Sequence, residues 1–281
     1  MSAVTLGEAF RTARTRIHST DAGVLLCHVI GRDPAYLIAH PDMRLRADEH
    51  ESFASLVERR AQGEPVAYLT GEREFYGRAF KISPAVLIPR PETELLVDLA
   101  LERIQRSPSA RVLDMGTGSG CVAVAIASER SHAKVLALDQ SLEALAVARR
   151  NAVRLGAGNV AFLQSDWFDG LGPERFDLIV SNPPYVASGD PHLQEGDVRF
   201  EPRNALEAGG DGLNAIRRIV SGAERYLVLA GWLLFEHGYD QAMSARKLLQ
   251  AAGYQDVFSA RDLAGIERVS GGRLTMAASD R

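Results

Sequence analysis

The sequence predicts an α/β fold: a doubly wound, mostly parallel sheet preceded by a small helical-bundle domain and a β-hairpin linker. Three observations predict it. From Arg111 onward, short apolar strands alternate with helical runs. A glycine-rich turn, Gly116-Thr117-Gly118-Ser119-Gly120, joins the first strand to the first helix of that series. The chain before it carries helix caps and helical periodicity instead of strand alternation. The boundaries expected are 1–72 for the helical domain, 73–90 for the linker and 91–281 for the α/β domain.

In the first part, Thr5 and Glu8 have capping-box spacing ahead of the periodic run Ala9 to Ile17. Asp21 to Ile30 reads as a second helix stopped by Gly31, and Asp33-Pro34 as a cap and first helical residue. Asp48 to Ala61 is a further helix ended by Gly63. No catalytic constellation lies here, which leaves partner recognition as its expected role. Around Gly77, the strand formers Phe75, Tyr76, Phe80 and Ile82 suggest a hairpin. Pro84, Pro89 and Pro91 then stiffen a connector that either only joins the domains or also lines the active site.

The strands of the α/β part are Arg111–Met115, Lys134–Leu138, Val160–Leu163 and Phe176–Ser181, with helices over Cys121–Arg130 and Leu142–Leu155. Gly212–Leu229 and Asp240–Ala252 continue as helices, and Trp232–Phe235 and Gln255–Ser259 as strands.

Composition narrows the function. The 281 residues carry a formal net charge of −4, without the basic footprint of a general nucleic-acid binder. Up to Glu74, nine arginines and no lysine face eleven acidic residues. Cys27 and Cys121 lack metal-ligand spacing and read as small buried hydrophobes. Met1 to Arg16 lacks a signal-peptide apolar run, and Tyr226–Phe235 is too short to span a bilayer. A cytoplasmic protein with no membrane partner is expected.

Four sites carry the chemistry. Glycines at Gly116, Gly118 and Gly120 let the backbone turn tightly where a ligand approaches the main chain. Asp139 ends the second strand, where a carboxylate can accept both hydroxyls of a ribose or cap the following helix. Asp166-Trp167 follows the third strand, where either side chain can meet an adenine, and where Trp167 reads equally as core. Asn182-Pro183-Pro184-Tyr185 follows the fourth. Two prolines remove two backbone donors and keep their carbonyls, so the loop is a stiff wall rich in acceptors. Such a wall suits a planar –NH₂ group, with Tyr185 packed on the flat group that bears it.

With these motifs the chain resembles the class I methyltransferases that act on exocyclic or amide nitrogens. Further stretches are similar to one branch, the HemK/PrmC-type glutamine methyltransferases of peptide-chain release factors. They include Gly63–Gly71, Glu74–Gly77, Leu87–Glu94, Glu201-Pro202, Gly209–Leu213, Leu234–Gly238 and Asp262–Gly265. Phe200-Glu201 departs slightly from that pattern.

The resemblance implies a seven-stranded class I methyltransferase sheet and S-adenosyl-L-methionine as cofactor, with no metal. It implies that Gly116, Thr117, Gly118, Ser119 and Gly120 hold the methionine part and ribose. Asp139 would hold the ribose hydroxyls, and Trp167 would lie beside the adenine. Asn182, Pro183, Pro184 and Tyr185 would hold the acceptor glutamine, Asn182 bordering the cofactor as well. The expected partners are class 1 release factors and not nucleic acid. Asn182, Pro183 and Tyr185 would act by positioning a weakly nucleophilic amide nitrogen, since no strong base is evident. Two rival readings share parts of this pattern. A nucleobase-amine methyltransferase on RNA or DNA shares the Asn-Pro-Pro-Tyr logic. A non-catalytic cofactor sensor would need the glycine loop and Asp139 only.

Overall fold

The computed structural model describes residues 4–105, 107 and 109–275. The chain forms two compact units. One runs up to Glu72 and includes Gln194–Phe200; the other holds Arg73–Leu193 and the chain from Glu201 onward.

The helical unit contains α1 (Leu6–Ala13), α2 (Ser19–Ile30), α3 (Pro34–Ala39), α4 (Ala47–Ala61) and α5 (Val66–Thr70). Thr5 and Glu8 form the expected capping box, and the Asp33 carboxylate caps α3 by accepting the Tyr36 N–H at 2.8 Å. Gly31 ends α2 in the left-handed region, where a side chain would be strained. Leu6, Leu25, Leu26, Phe53 and Val57 close the core between these helices. The returning segment Gln194–Phe200 is fixed to this unit by charge. Arg60 donates to Asp21 at 2.7 Å and to Asp197 at 2.8 Å, and Arg199 donates to the Gln62 carbonyl at 2.7 Å. The first helix starts at Leu6, directly after its expected cap, and stops at Ala13, not Ile17.

The second unit is built on β3 (Arg111–Met115), α7 (Cys121–Glu129), β4 (Lys134–Asp139), α8 (Leu142–Arg154), β5 (Val160–Gln164) and β6 (Phe176–Ser181). It continues with α9 (Asn214–Ala223), β7 (Leu227–Glu236), α10 (Ala242–Ala251), β8 (Gln255–Arg261) and β9 (Glu267–Arg273). Before β3 come a hairpin of β1 (Glu72–Phe75) and β2 (Arg78–Lys81), and the helix α6 (Glu94–Arg103). The large sheet has seven strands in the order β5-β4-β3-β6-β7-β9-β8. The paired strands run parallel except for β9, which is antiparallel to both neighbours.

On one face, Ile216, Ile219, Val220 and Ala223 form the apolar stripe of α9. With Ala245 and Leu249 of α10, they bury Leu113, Met115, Ile179, Leu233 and Phe235 of the sheet.

From Arg73 on, the hairpin belongs to this second unit. Its loop is Tyr76-Gly77 with φ of 52° and 67°, the two-residue turn that matches strand twist. The Tyr76 N–H donates to Glu94 and its hydroxyl to Asp98, both at 2.8 Å. Asn151 of α8 accepts from the Lys81 N–H at 2.8 Å and donates to the Lys81 carbonyl at 2.9 Å. Phe75 and Phe80 are buried with their rings edge to face, 6.1 Å apart.

Two elements differ from the sequence expectation. The helix expected to reach Leu229 ends at Ala223, and β7 begins at Leu227 instead of Trp232. Between its pairings of Leu227 with Phe176 and Trp232 with Leu178, β7 carries a bulge, with Ala230 at φ 65°. The seventh strand, β9, was not legible in the residue pattern at all.

Strand register positions the site. Met115 pairs with Leu138 and with Ser181, and Ser181 pairs with Phe235. The next residues, Gly116, Asp139, Asn182 and Glu236, therefore leave four adjacent strands at one level. The chain winds outward through β4 and β5 and returns to place β6 beside β3. That reversal is a topological switch point, where the loops after β3 and β6 part and leave a crevice at the carboxyl edge.

Candidate active site

A cavity opens at this switch point. Gly116, Thr117, Gly118 and Ser119 line it from β3, Asp139 from β4, Trp167 from the loop after β5, and Asn182 and Pro184 from β6. The proline connector contributes Val86, Leu87 and Pro89, so it lines the cavity as well as joining elements. Gly120, Pro183 and Tyr185 lie outside the lining.

The glycine loop keeps its shape through left-handed backbone and side-chain support. Gly116 and Gly118 have φ of 70° and 54°. Buried Asp114 accepts the Thr117 hydroxyl at 2.6 Å, and the Thr117 N–H donates to the Leu138 carbonyl at 2.9 Å. Burial pushes the Asp114 carboxyl up to about 7. Gly120 has a packing role: at φ 81° it caps α7, and a Cβ there would meet Ala148 Cβ at 3.0 Å. The Ser119 hydroxyl is buried with no hydrogen-bond partner among the described residues, beside the weakly bonding Cys121 thiol.

Asp139 uses one carboxylate oxygen for the Gly118 N–H and the other for the Ser141 N–H, each at 2.9 Å. The cap of α8 is Ser141, not Asp139. Burial raises the Asp139 carboxyl above its ordinary range, against the pull of these N–H groups. Trp167 sits at φ 52° and is half-buried, both lining the cavity and packing on the core of the sheet. Its carbonyl accepts the Ser165 hydroxyl at 2.7 Å. Asp166 beside it pairs with Arg218 at 3.2 Å.

The acceptor wall is tied to two residues whose roles the sequence did not reveal. The Asn182 amide donates to the Thr93 hydroxyl at 3.1 Å, and that hydroxyl donates to Glu236 at 2.6 Å. The Tyr185 hydroxyl donates to the other Glu236 oxygen at 3.1 Å. The Asn182 side-chain oxygen has no partner among the described residues. Thr93 and Glu236 are buried, and burial pushes the Glu236 carboxyl up to about 7. The available signal for Glu236 was a carboxylate ending the apolar strand Leu233-Leu234-Phe235. Glu201, at the small departure in sequence, is also buried. It accepts the Ile88 N–H at 2.9 Å and pairs with Arg90, holding the connector beside the cavity.

Among the described residues no cluster of metal-ligating side chains is present, and no helix is long and apolar enough to cross a membrane.

Comparisons with known proteins agree with this geometry. Residues 92–211 match the methyltransferase small domain and residues 6–71 the PrmC N-terminal domain. Solved structures with the same fold include the hMettl16 catalytic domain bound to a MAT2A 3′UTR hairpin, with TM-score 0.59 and 13% identity over 90% of this chain and 93% of that one. Another is the T. thermophilus 16S rRNA N2 G1207 methyltransferase, with TM-score 0.52 and 20% identity over 72% of this chain and 49% of that one. Curated relatives are far nearer. The release factor glutamine methyltransferase of Burkholderia pseudomallei is 54% identical over 92% of this chain and 93% of its own. That of Escherichia coli K12 is 46% identical over 90% and 91%. At such identity across both units, the chain belongs to the release factor glutamine methyltransferase family.

Proposed function

We propose that the protein transfers a methyl group from S-adenosylmethionine to the side-chain amide nitrogen of the glutamine in the Gly-Gly-Gln motif of class 1 release factors. The observation that carries the chemistry is the Asn182 side-chain oxygen, left without a partner among the described residues in the lining of a cavity that the glycine loop also lines.

The cavity suits the cofactor. The buried Ser119 hydroxyl, met only weakly by the Cys121 thiol, can serve a polar partner, the Asp139 oxygens keep lone pairs beyond the two N–H groups they accept, and Trp167 lines the cavity with an aromatic side chain. Gly116 to Ser119 would hold the methionine part and ribose, Asp139 the ribose hydroxyls and Trp167 the adenine. Bound there, the cofactor supplies a methyl group already activated on a sulfonium sulfur.

The chain's own residues do the rest by position. An amide lone pair is delocalised into its carbonyl, so the nitrogen is a weak nucleophile. The Asn182 oxygen and the Pro183 carbonyl accept its two N–H bonds, aim it into the cavity and favour the positive charge that grows on it, which the nitrogen then loses by giving one proton to water. Pro184 and Tyr185 wall the flat amide group. The helical unit recognises the acceptor protein, and the second unit, hairpin and proline connector included, is the catalytic domain. The setting is cytoplasmic, which the two free cysteines suit. Nucleic acid is not a substrate, in keeping with the net charge of −4.

The test is acceptor choice. Labelled cofactor is incubated separately with unmethylated release factor, the same factor with the motif glutamine replaced, duplex DNA and ribosomal RNA. Label on the intact factor alone is expected; label on nucleic acid with none on the factor overturns the proposal. Asn182→Ala should still bind cofactor while single-turnover methylation falls by about 10²-fold or more.

A further inference from the structure

We propose that Thr93 and Glu236 are positioning residues: through one hydrogen-bond chain they fix which end of the Asn182 amide faces the acceptor, and they hold Tyr185 on the other side of the same slot. The inference rests on the reading of Asn182 as the acceptor's hydrogen-bond partner.

Strand register brings the groups together. Ser181 of β6 pairs with Phe235 of β7, so Asn182 and Glu236 step off neighbouring strands side by side. Thr93, in the single turn Pro91–Thr93 before α6, drops its hydroxyl between them. The contacts are Asn182 Nδ2 to Thr93 Oγ1 at 3.1 Å, and Thr93 Oγ1 to Glu236 Oε2 at 2.6 Å. The Tyr185 hydroxyl reaches Glu236 Oε1 at 3.1 Å.

Proton counting gives this chain a direction. A threonine hydroxyl has one proton and two lone pairs. The short contact to Glu236 takes the proton, because an ionised carboxylate only accepts. The hydroxyl can then only accept from Asn182, so Asn182 must turn its –NH₂ inward. Its oxygen is thereby left pointing away from Thr93, free for an incoming amide N–H. With no acceptor beyond Thr93, the amide could turn over and present two donors to a substrate that also brings donors. Glu236 is fully buried, so its two oxygens serve these two hydroxyls and not solvent. One oxygen thus acts on Asn182 through Thr93 and the other holds Tyr185 directly. A buried carboxylate stays costly unless its bonds are made, so its position here is strongly determined.

The experiment measures single-turnover methylation of intact release factor at saturating cofactor and acceptor, together with cofactor Kd by calorimetry. Thr93→Val keeps the shape and removes the hydroxyl. Its rate should fall by roughly tenfold or more, the scale of one lost hydrogen bond in the transition state. Cofactor Kd should stay within about twofold, and Thr93→Ser should restore most of the rate. Because Thr93 acts through Asn182, the double variant should be no slower than Asn182→Ala alone. Glu236→Gln should also slow turnover with cofactor Kd unchanged, since an amide has one acceptor oxygen and cannot serve both hydroxyls.

The outcomes separate. If Asn182→Ala turns over at the wild-type rate, the reading of Asn182 fails, and this inference with it. If Asn182→Ala is slow while Thr93→Val is not, only the positioning inference fails. Additive losses in the double variant also overturn it, because Thr93 would then act by another route. Should Thr93→Val not fold, Thr93→Ser against Glu236→Gln decides: a near-normal rate in both overturns the proposal.

Discussion

Asp139 makes a small number of atoms serve two purposes. Its oxygens hold the glycine loop through Gly118 and the start of α8 through Ser141, and the same oxygens face the cavity. Removing the carboxylate should therefore weaken the cofactor site directly and loosen its loop. Asp139→Ala should raise cofactor Kd by about one to two powers of ten, since a hydrogen bond to a charged group is worth about 1.5–3 kcal/mol. Calorimetry returning the wild-type Kd would count against the ribose assignment. Residues of this kind were legible because their type, place after a strand and spacing from the glycine loop all point to one job. The roles of Thr93 and Glu236 were not, because their meaning lies in a hydrogen bond across 143 positions.

At the scale of elements, β3, β4 and β6 were legible because they are largely buried inside the sheet, which makes each a short apolar run between turn signals; β5, a partly exposed edge strand, was legible from its apolar run alone. The failures have physical causes. β9 contains Ser270-Gly271-Gly272, a poor strand by composition. A Cβ at Gly271 would meet the Leu234 side chain at 2.4 Å, and one at Gly272 would meet Tyr254 Cβ at 2.8 Å. Close packing needs glycine there, and that need hides the strand. In β7 the bulge near Ala230 and Gly231 broke the alternation, so its first half read as the tail of a helix. The connector before α6 was also ambiguous in sequence, because its anchor is Glu201, 111 residues from Arg90. This anchor gives an element-scale expectation. Glu201→Ala leaves the Arg90 guanidinium and the Ile88 N–H without their buried acceptor. It should lower unfolding free energy by about 3 kcal/mol, the low end for breaking a buried pair whose other member is partly exposed. Urea unfolding should show a lower midpoint; an unchanged midpoint would mean that water replaces the carboxylate without cost.

For the whole molecule, the buried carboxylates tie stability to pH. Asp114 and Glu236 are both pushed up to about 7, chiefly by burial, from ordinary values of 3.8 and 4.5. Between roughly pH 4 and 7 the folded protein keeps protons that the unfolded chain has released. Stability from these groups is thus fully present below the unfolded pKa and is lost as pH rises through the folded one. His237 opposes this trend: burial lowers its pKa, so its contribution grows with pH. The clean measurement is therefore a difference. Glu236→Gln removes one titration, and the stability gap between wild type and variant should shift against wild type from pH 4.5 to 8. A gap that stays constant over that range would show that Glu236 does not titrate there. The charged and titratable groups that act on this carboxyl are Glu92 before α6, Arg268 of β9, Tyr185 after β6 and Cys121 of α7. Glu92 reinforces the upward shift and Arg268 opposes it. Catalysis should run the other way. Glu236 accepts from both Thr93 and Tyr185 only when ionised, so the single-turnover rate should climb as pH rises through about 7. Loss of stability alone cannot produce such a climb. A wild-type rate that is flat or falling across that range, with the protein folded throughout, would break the link between this carboxylate and the acceptor slot.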